Sequence, residues 1–190
     1  MAGSRGHIAD NLQVLLDAEL IADCPYGPGG LLIDEVLEID ALKSMVRVRM
    51  PVHPDLPLTR EQRNHPVFHP PHLSGGLMVH MTGMVGFVHA YYVFGLRHAD
   101  GWVGYGVRIH HARFENLGVM HVPLVLKGWS TNARRSPTKI LARYTFEFTQ
   151  GSKLIYEGDQ TALWTKSARS QKRSEPNSGR PAGPRDSRSP

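Results

Sequence analysis

A long uncharged and largely apolar stretch predicts a buried helix near the centre of the chain. Residues 75–96 contain no Asp, Glu, Lys or Arg, and their apolar side chains would cover nearly every face of a helix. Ser74 directly precedes this stretch and is a suitable N-cap, because its hydroxyl can accept hydrogen bonds from the free N–H groups of the first turn. We therefore expect the rest of the fold to enclose this helix.

The pattern before this helix predicts another helix, a hairpin and a loop. Four leucines between residues 12 and 20 lie at helical spacing and predict an amphipathic helix over residues 9–20. Residues 31–40 predict a strand, and residues 44–50 alternate between apolar side chains and arginines, so the two segments predict a β-hairpin. Residues 51–71 contain six prolines and predict a long loop, and loops of this length are often functional.

The pattern after the helix predicts four antiparallel strands, over residues 102–114, 122–129, 140–148 and 154–164. In the first of these, the alternation places four apolar side chains on one face: Val103, Tyr105, Val107 and Ile109. In the third it does the same for Ile140, Ala142, Tyr144, Phe146 and Phe148. The order of elements predicts an α+β fold in which a curved antiparallel sheet wraps around one helix.

The positive charge of the chain belongs to its C-terminal end. Residues 166–190 contain seven Lys or Arg and two Asp or Glu, whereas the preceding 165 residues contain fifteen basic and fifteen acidic residues. This end also lacks aromatic and large aliphatic side chains, so we expect it to be disordered. We divide the chain into an N-terminal helix (1–23), one folded domain (24–165) and a disordered basic tail (166–190). Because the folded body is neutral, we expect it to bind no nucleic acid.

The compartment follows from the cysteine content and the N-terminal sequence. Cys24 is the single cysteine, so no internal disulfide can form, which suits a reducing cytoplasm. No segment has the pattern of a signal peptide. Residues 75–96 have about the length of a membrane span, but they contain two histidines and several glycines. We expect a cytoplasmic protein with no membrane span.

Three segments resemble the hotdog-fold superfamily of acyl-CoA and acyl-ACP thioesterases and β-hydroxyacyl-ACP dehydratase-like proteins. LLIDEVLEID followed by MVRVRM is similar to the first hairpin of the dehydratases, and HPVFHPPHLSGGLMVH is similar to their His-Phe-Pro-Gly segment. Ser74-Gly75-Gly76 resembles the His-Gly-Gly helix start of the thioesterases. The resemblance covers roughly residues 24–164. It implies an acyl thioester substrate and a homodimer or dimer of dimers, with sheets joined edge to edge and active sites at the subunit interface.

The chain departs from this family at the expected acid. The dehydratases pair a loop histidine with a carboxylate on the buried helix, and aligning Gly75 with their glycine puts His80 in the position of that carboxylate. No Asp or Glu occurs between Gln62 and Ala99. The standard machinery of both enzyme types therefore lacks its acid, and histidine is the remaining candidate base.

Thioester hydrolysis needs donors for the developing oxyanion and a base or polar group that positions water. The amides of Gly75 and Gly76, at a helix start capped by Ser74, are candidate donors. Thr82 could hold a water or the thioester. The candidate catalytic residues are four histidines on or before the helix: His72, His80, His69 and His65.

Each candidate also has a structural interpretation. His80 could be a hydrogen-bonded core histidine, and Gly75-Gly76 could only permit close packing. His65 and His69 could be turn residues, and His89 is deeper in the helix and expected to be structural. An acyl tunnel, or plain core, could be formed by Met78, Met81, Met84, Phe87, Tyr91 and Tyr92.

Three functions remain open at this point. The first is acyl thioester hydrolysis in fatty-acid or polyketide-type metabolism, and the second is a dehydratase-like reaction in which His65 or His69 removes an α-proton. The third is a non-catalytic hotdog protein that binds acyl thioesters. His69 and His72, with His65, could also bind zinc, but no carboxylate or cysteine is close to complete the site. We expect no metal and no cofactor.

Overall fold

An antiparallel sheet packs around one long helix in the computed structural model, which describes residues 14–167. The strands in this part of the chain are β1 (Val14–Leu15), β2 (Glu35–Asp40), β3 (Met45–Met50), β4 (Trp102–Phe114), β5 (Leu124–Ser136), β6 (Lys139–Gln150) and β7 (Lys153–Lys166). The helices are α1 (Ala18–Asp23), α2 (Pro28–Leu31) and α3 (Gly75–Tyr92). The strand order β1-β2-β3-β5-β6-β7-β4 places β4 at one edge of the sheet. The predicted α+β fold is confirmed.

Helix α3 is the centre of the core. Most of its side chains are buried, because the sheet covers one side of it and loops cover much of the rest. The five alternating residues predicted for the third strand after the helix all face α3 and are buried: Ile140, Ala142, Tyr144, Phe146 and Phe148. Gly128 on β5 allows close approach, because an added Cβ would lie 2.5 Å from Val85 Cγ1 on α3.

The predicted N-terminal helix over residues 9–20 is wrong at residues 14–17 and confirmed at residues 18–20. Val14 and Leu15 form β1 and pair with β2, and helix α1 begins only at Ala18. Asp17 marks the start, because its side chain accepts a hydrogen bond from the Leu20 amide and caps the first turn. Residues 9–13 of the predicted helix, and residues 168–190 of the predicted tail, lie outside the described residues.

Hydrogen bonds tie both ends of α1 to other parts of the fold. The Tyr92 hydroxyl of α3 donates to the Asp17 carboxylate, and the Asp23 carboxylate accepts from the amides of His98 and Ala99. The predicted strand over residues 31–40 begins later than expected, at Glu35. It is delayed because residues 28–31 form α2 and Leu32 adopts a left-handed conformation, with φ of 54°.

Strand β4 changes face partway along its length. Gly106 pairs with Ala162 and Arg108 pairs with Thr161, so Val107 is an extra residue on the β4 side. One extra residue reverses the facing of the residues that follow, here as far as a second irregularity between Ile109 and His111. The prediction that Val107 and Ile109 share a face with Tyr105 is therefore wrong: Ile109 pairs with Gln160 and faces α3.

Within residues 14–167, the longest helix is α3, and neither it nor any other helix there is long and apolar enough to cross a bilayer.

Candidate functional site

A cavity of about 400 Å³ lies between α3 and the sheet, beside the edge strand β4. This volume is in the range of roughly 300–1,000 Å³ that is typical of small-molecule sites. Side chains of α3, β4, β6 and β7 line it, together with the segment that follows α1. The polar and charged residues of the lining are few: His80, Thr82, Arg108 and Gln160, with the hydroxyls of Tyr26, Tyr105 and Tyr144. The cavity is therefore mostly apolar, and none of its lining residues is Asp or Glu.

His80 is held in one tautomer at the wall of this cavity. Its Nε2 lies 2.7 Å from the backbone carbonyl oxygen of Gly30. A carbonyl oxygen can only accept, so Nε2 carries the proton, and in the neutral ring Nδ1 has the free lone pair. The ring of Tyr26 packs edge-on against the imidazole, with centroids 5.2 Å apart. The arrangement fixes the ring and leaves a basic nitrogen.

Thr82 forms a polar pair with Gln160 across the cavity. The Thr82 Oγ1 atom lies 3.0 Å from Gln160 Oε1 and 2.7 Å from the carbonyl oxygen of Val79. One hydroxyl proton cannot be donated to both oxygens at once, so one of the two acceptors keeps capacity for another donor. The pair is therefore suited to hold a water molecule or a polar group of a ligand.

Gln160 was not among the site residues predicted from the sequence. Its signal is a polar residue at an inward-facing position of β7, between the buried residues Tyr156 and Trp164. The sequence also gave no reason to expect the carbonyl of Gly30 beside His80, because fifty positions separate the two residues. Contacts between residues so far apart depend on the tertiary fold.

The three loop histidines lie outside the cavity. His65 and His69 pair with each other through backbone hydrogen bonds, and His65 Nδ1 accepts from the amides of Val67 and Phe68. His72 Nδ1 donates to the carbonyl of Pro70 at 2.8 Å. His65 and His69 are exposed and His72 is partly exposed. Their catalytic roles stay predictions.

Ser74 occupies the predicted N-cap position, but its hydroxyl makes no capping hydrogen bond. The two glycines that follow lie close to other side chains. A Cβ added to Gly75 would be 3.1 Å from a ring carbon of Phe114, and one added to Gly76 would be 3.2 Å from Leu58 Cδ1. Their amides belong to the first turn of α3, where N–H groups have no acceptor within the helix.

Of the predicted residues, His80 and Thr82 line the cavity, as do Met84 and Phe87. Gly76 and His80 are four positions apart and so lie on the same face of α3, about 6 Å apart along the helix axis. Ser74, Gly75 and Gly76 do not themselves line the cavity. No group of three or more potential metal ligands is present in the described part of the chain.

For the thioester hydrolysis that the sequence resemblance implies, replacing Thr82 by valine should lower turnover by about tenfold, because it removes one hydrogen-bonding group at nearly constant volume. We would measure kcat/KM for thiol release from an acyl-CoA. Thr161→Val is the matched control, since Thr161 contacts His110 outside the cavity. Equal effects of the two substitutions would show that the Thr82 hydroxyl has no role in the reaction.

Comparisons with solved structures give the same architecture. A mutant of the thioesterase PA1618 from Pseudomonas aeruginosa is similar with a TM-score of 0.52 and 16% identity, over 78% of this chain and 92% of that one. The thioesterase HI1161 from Haemophilus influenzae has a TM-score of 0.52 and 15% identity, over 77% and 88% of the two chains. The E. coli PaaI protein has a TM-score of 0.50 and 14% identity, over 71% and 85%.

These likenesses concern the fold of the chain, in which one long helix packs on an antiparallel sheet. More particularly, the chain has the hotdog fold. No protein-family model matches the sequence, and no curated protein matches it significantly.

Proposed function

We propose that this protein hydrolyses acyl thioesters and that His80 is the base that activates water. The observation that carries the proposal is the hydrogen bond from His80 Nε2 to the Gly30 carbonyl, which leaves the Nδ1 atom of this cavity-lining histidine free to accept a proton. A general base must be oriented as well as basic, and a second partner on the other ring nitrogen is the usual means. The names of the neighbouring structures support the same reaction class.

The proposed reaction is a direct attack by water. His80 Nδ1 removes a proton from water while the water oxygen bonds to the thioester carbonyl carbon. The carbonyl oxygen becomes an oxyanion, which the first-turn amides of Gly75 and Gly76 would stabilise. Collapse of the intermediate breaks the carbon–sulfur bond, and the protonated His80 returns its proton to the leaving thiolate. The products are a carboxylic acid and a free thiol.

The acyl group would occupy the apolar part of the cavity. Val79, Met84, Phe87 and Phe146 offer walls without hydrogen-bonding groups, and burial of an acyl chain against them is favoured by about 25 cal/mol per Å². We propose acyl-CoA or acyl-ACP as the substrate, in fatty-acid or polyketide-type metabolism of the cytoplasm.

Thiol release from short-, medium- and long-chain acyl-CoAs by the purified full chain tests this function. We expect release well above the rate without protein for at least one chain length. Hydration of a 2-enoyl thioester without thiol release would instead support a dehydratase-like enzyme. Binding of acyl-CoA with neither reaction would support the non-catalytic protein.

We also propose that the protein is a dimer that joins through β4. Within the described residues, β4 pairs only with β7, so its other edge has no strand partner. Three apolar side chains there are at least half exposed: Tyr105 (57%), Val107 (56%) and Ile109 (50%). A long apolar edge strand favours pairing with another chain. Since these residues also line the cavity, a second copy would close one side of the site.

Val107→Lys should convert the dimer to a monomer, because a charge at the centre of the interface would lose its hydration. Light scattering should give twice the chain mass of 21.2 kDa for the wild type and the single chain mass for the variant. Leu141→Lys is the control, because Leu141 is comparably exposed (42%) but lies on the inner strand β6. A monomeric wild type would contradict this assembly.

A further inference from the structure

Two kinds of glycine occur in the sheet and in α3. Gly104, Gly128 and Gly158 lie against side chains, so that an added Cβ would be 2.4–2.5 Å from an atom of Trp164, Val85 or Tyr156. Close packing explains these three glycines. At such positions even alanine would force its neighbours to move.

Gly83, Gly86 and Gly106 are of the other kind. A Cβ added to any of them would meet no atom within 4 Å, so packing does not require glycine there. Backbone conformation does not require it either, because the glycines with positive φ in the described residues are Gly95, Gly101 and Gly151. All three open glycines line the cavity.

Two of these glycines weaken the helix that carries them. Gly83 and Gly86 lie inside α3, where glycine is less favourable than alanine. Gly86 is also buried, so the open space beside it is internal space of the cavity. Stability alone would favour alanine at both positions. A function that needs the space accounts for the glycines.

The three glycines lie on two walls of the cavity, and Gly86 is buried whereas Gly83 and Gly106 are exposed. Gly83 and Gly86 belong to the helix wall, and Gly106 belongs to the sheet wall on β4. Side chains at these positions would reduce the distance between the two walls. Aromatic rings of Phe87, Phe146 and Trp164 line the same space and favour contact with a flat or branched group.

We propose that Gly83, Gly86 and Gly106 determine acyl specificity by widening the cavity for branched or ring-bearing acyl groups. This inference rests on the proposed function, since it names the class of acyl group that the same site accepts. A straight chain fills less of the width between the walls. Binding of a straight acyl chain should therefore be affected less when a Cβ is added at one of these glycines.

Binding of non-hydrolysable thioether analogues of acyl-CoA tests the inference without turnover. Two probes are matched in carbon number: one carries a straight alkyl chain and the other a cyclohexyl-terminated chain. Calorimetry would compare the wild-type chain with Gly86→Ala and Gly106→Ala, which narrow the cavity from opposite walls. Gly29→Ala is the control, because a Cβ at Gly29 also meets no atom within 4 Å but lies outside the cavity.

We expect each cavity variant to weaken the ring-bearing probe by about tenfold and the straight probe by less than about twofold, since single methyl-sized changes in apolar pockets discriminate on this scale. Gly86→Ala should also raise the melting temperature by about 2–4 °C, which shows that the loss of binding is not unfolding. Equal weakening of both probes, no weakening, or no binding by the wild type would each overturn the inference.

The outcome is separable from that of the proposed function. The glycine variants could selectively weaken binding of the ring-bearing probe although the wild type releases no thiol from any acyl-CoA. That result would support this inference and contradict hydrolysis. Thiol release without a width effect would contradict the inference and leave hydrolysis supported.

Discussion

Replacing His80 by alanine should lower kcat/KM for thioester hydrolysis by about 10²–10⁴-fold, the range that general bases contribute. In the proposed reaction, His80 Nδ1 is the group that takes the proton of the attacking water. No carboxylate lines the cavity to replace it. His80→Gln should lose activity to the same extent, because a glutamine side chain has no basic nitrogen. Its amide can still donate a hydrogen bond to the Gly30 carbonyl.

The glutamine variant separates chemistry from folding. It keeps a donor for the Gly30 carbonyl, so we expect thermal unfolding within a few degrees of the wild type, about 1 kcal/mol or less. His72→Ala is the matched control, since the hydrogen bond of the His72 ring is made to the Pro70 carbonyl in the same loop. Activity lost in His72→Ala but kept in His80→Gln would transfer the catalytic role to the loop histidine.

Acidification from pH 6.5 to pH 4 should destabilise the folded chain by about 3 kcal/mol through His89 alone. His89 is fully buried, and burial lowers its pKa from 6.5 to about 4. The neutral ring is well satisfied: Nε2 donates to the Ser44 carbonyl at 2.9 Å, and Nδ1 accepts from the Tyr144 hydroxyl at 3.2 Å. Protonation would remove the acceptor and bury a charge.

The sign of this effect follows from proton uptake. Because the pKa of His89 is lower in the folded chain, the unfolded chain binds more protons between pH 4 and pH 6.5. The stabilisation is complete above pH 6.5 and is lost as the pH falls towards 4. Urea unfolding of wild type and His89→Gln at several pH values isolates this contribution, with the exposed His110→Gln as control. Parallel stability curves for wild type and His89→Gln would refute it.

Much of the fold could be predicted because periodicity reports local burial. The alternation of residues 140–148 correctly identified the inner face of β6, and the uncharged stretch from residue 75 identified α3. The same helix brought His80 and Thr82 to the cavity, since residues of a buried helix must face some part of the interior.

Other features could not be predicted from the sequence, because they depend on the tertiary structure. The bulge at Val107 turns Ile109 inward, and simple alternation cannot register one extra residue. The Gly30 carbonyl and Gln160 reach His80 and Thr82 from distant segments of the chain. The His/Pro-rich loop was the strongest compositional signal for a site, but its histidines are satisfied by their own loop or exposed, because proline-rich turns supply local hydrogen-bond partners.

The central claim is that water activated by His80 attacks the thioester directly. A single turnover in water labelled with a heavy oxygen isotope, with protein in excess over acyl-CoA, tests it. Direct attack by water predicts one labelled oxygen in the released carboxylic acid and none in the protein. Label in an Asp or Glu side chain would show that a carboxylate forms the first bond to the acyl group, and absence of any released acid would show that the protein does not hydrolyse this thioester.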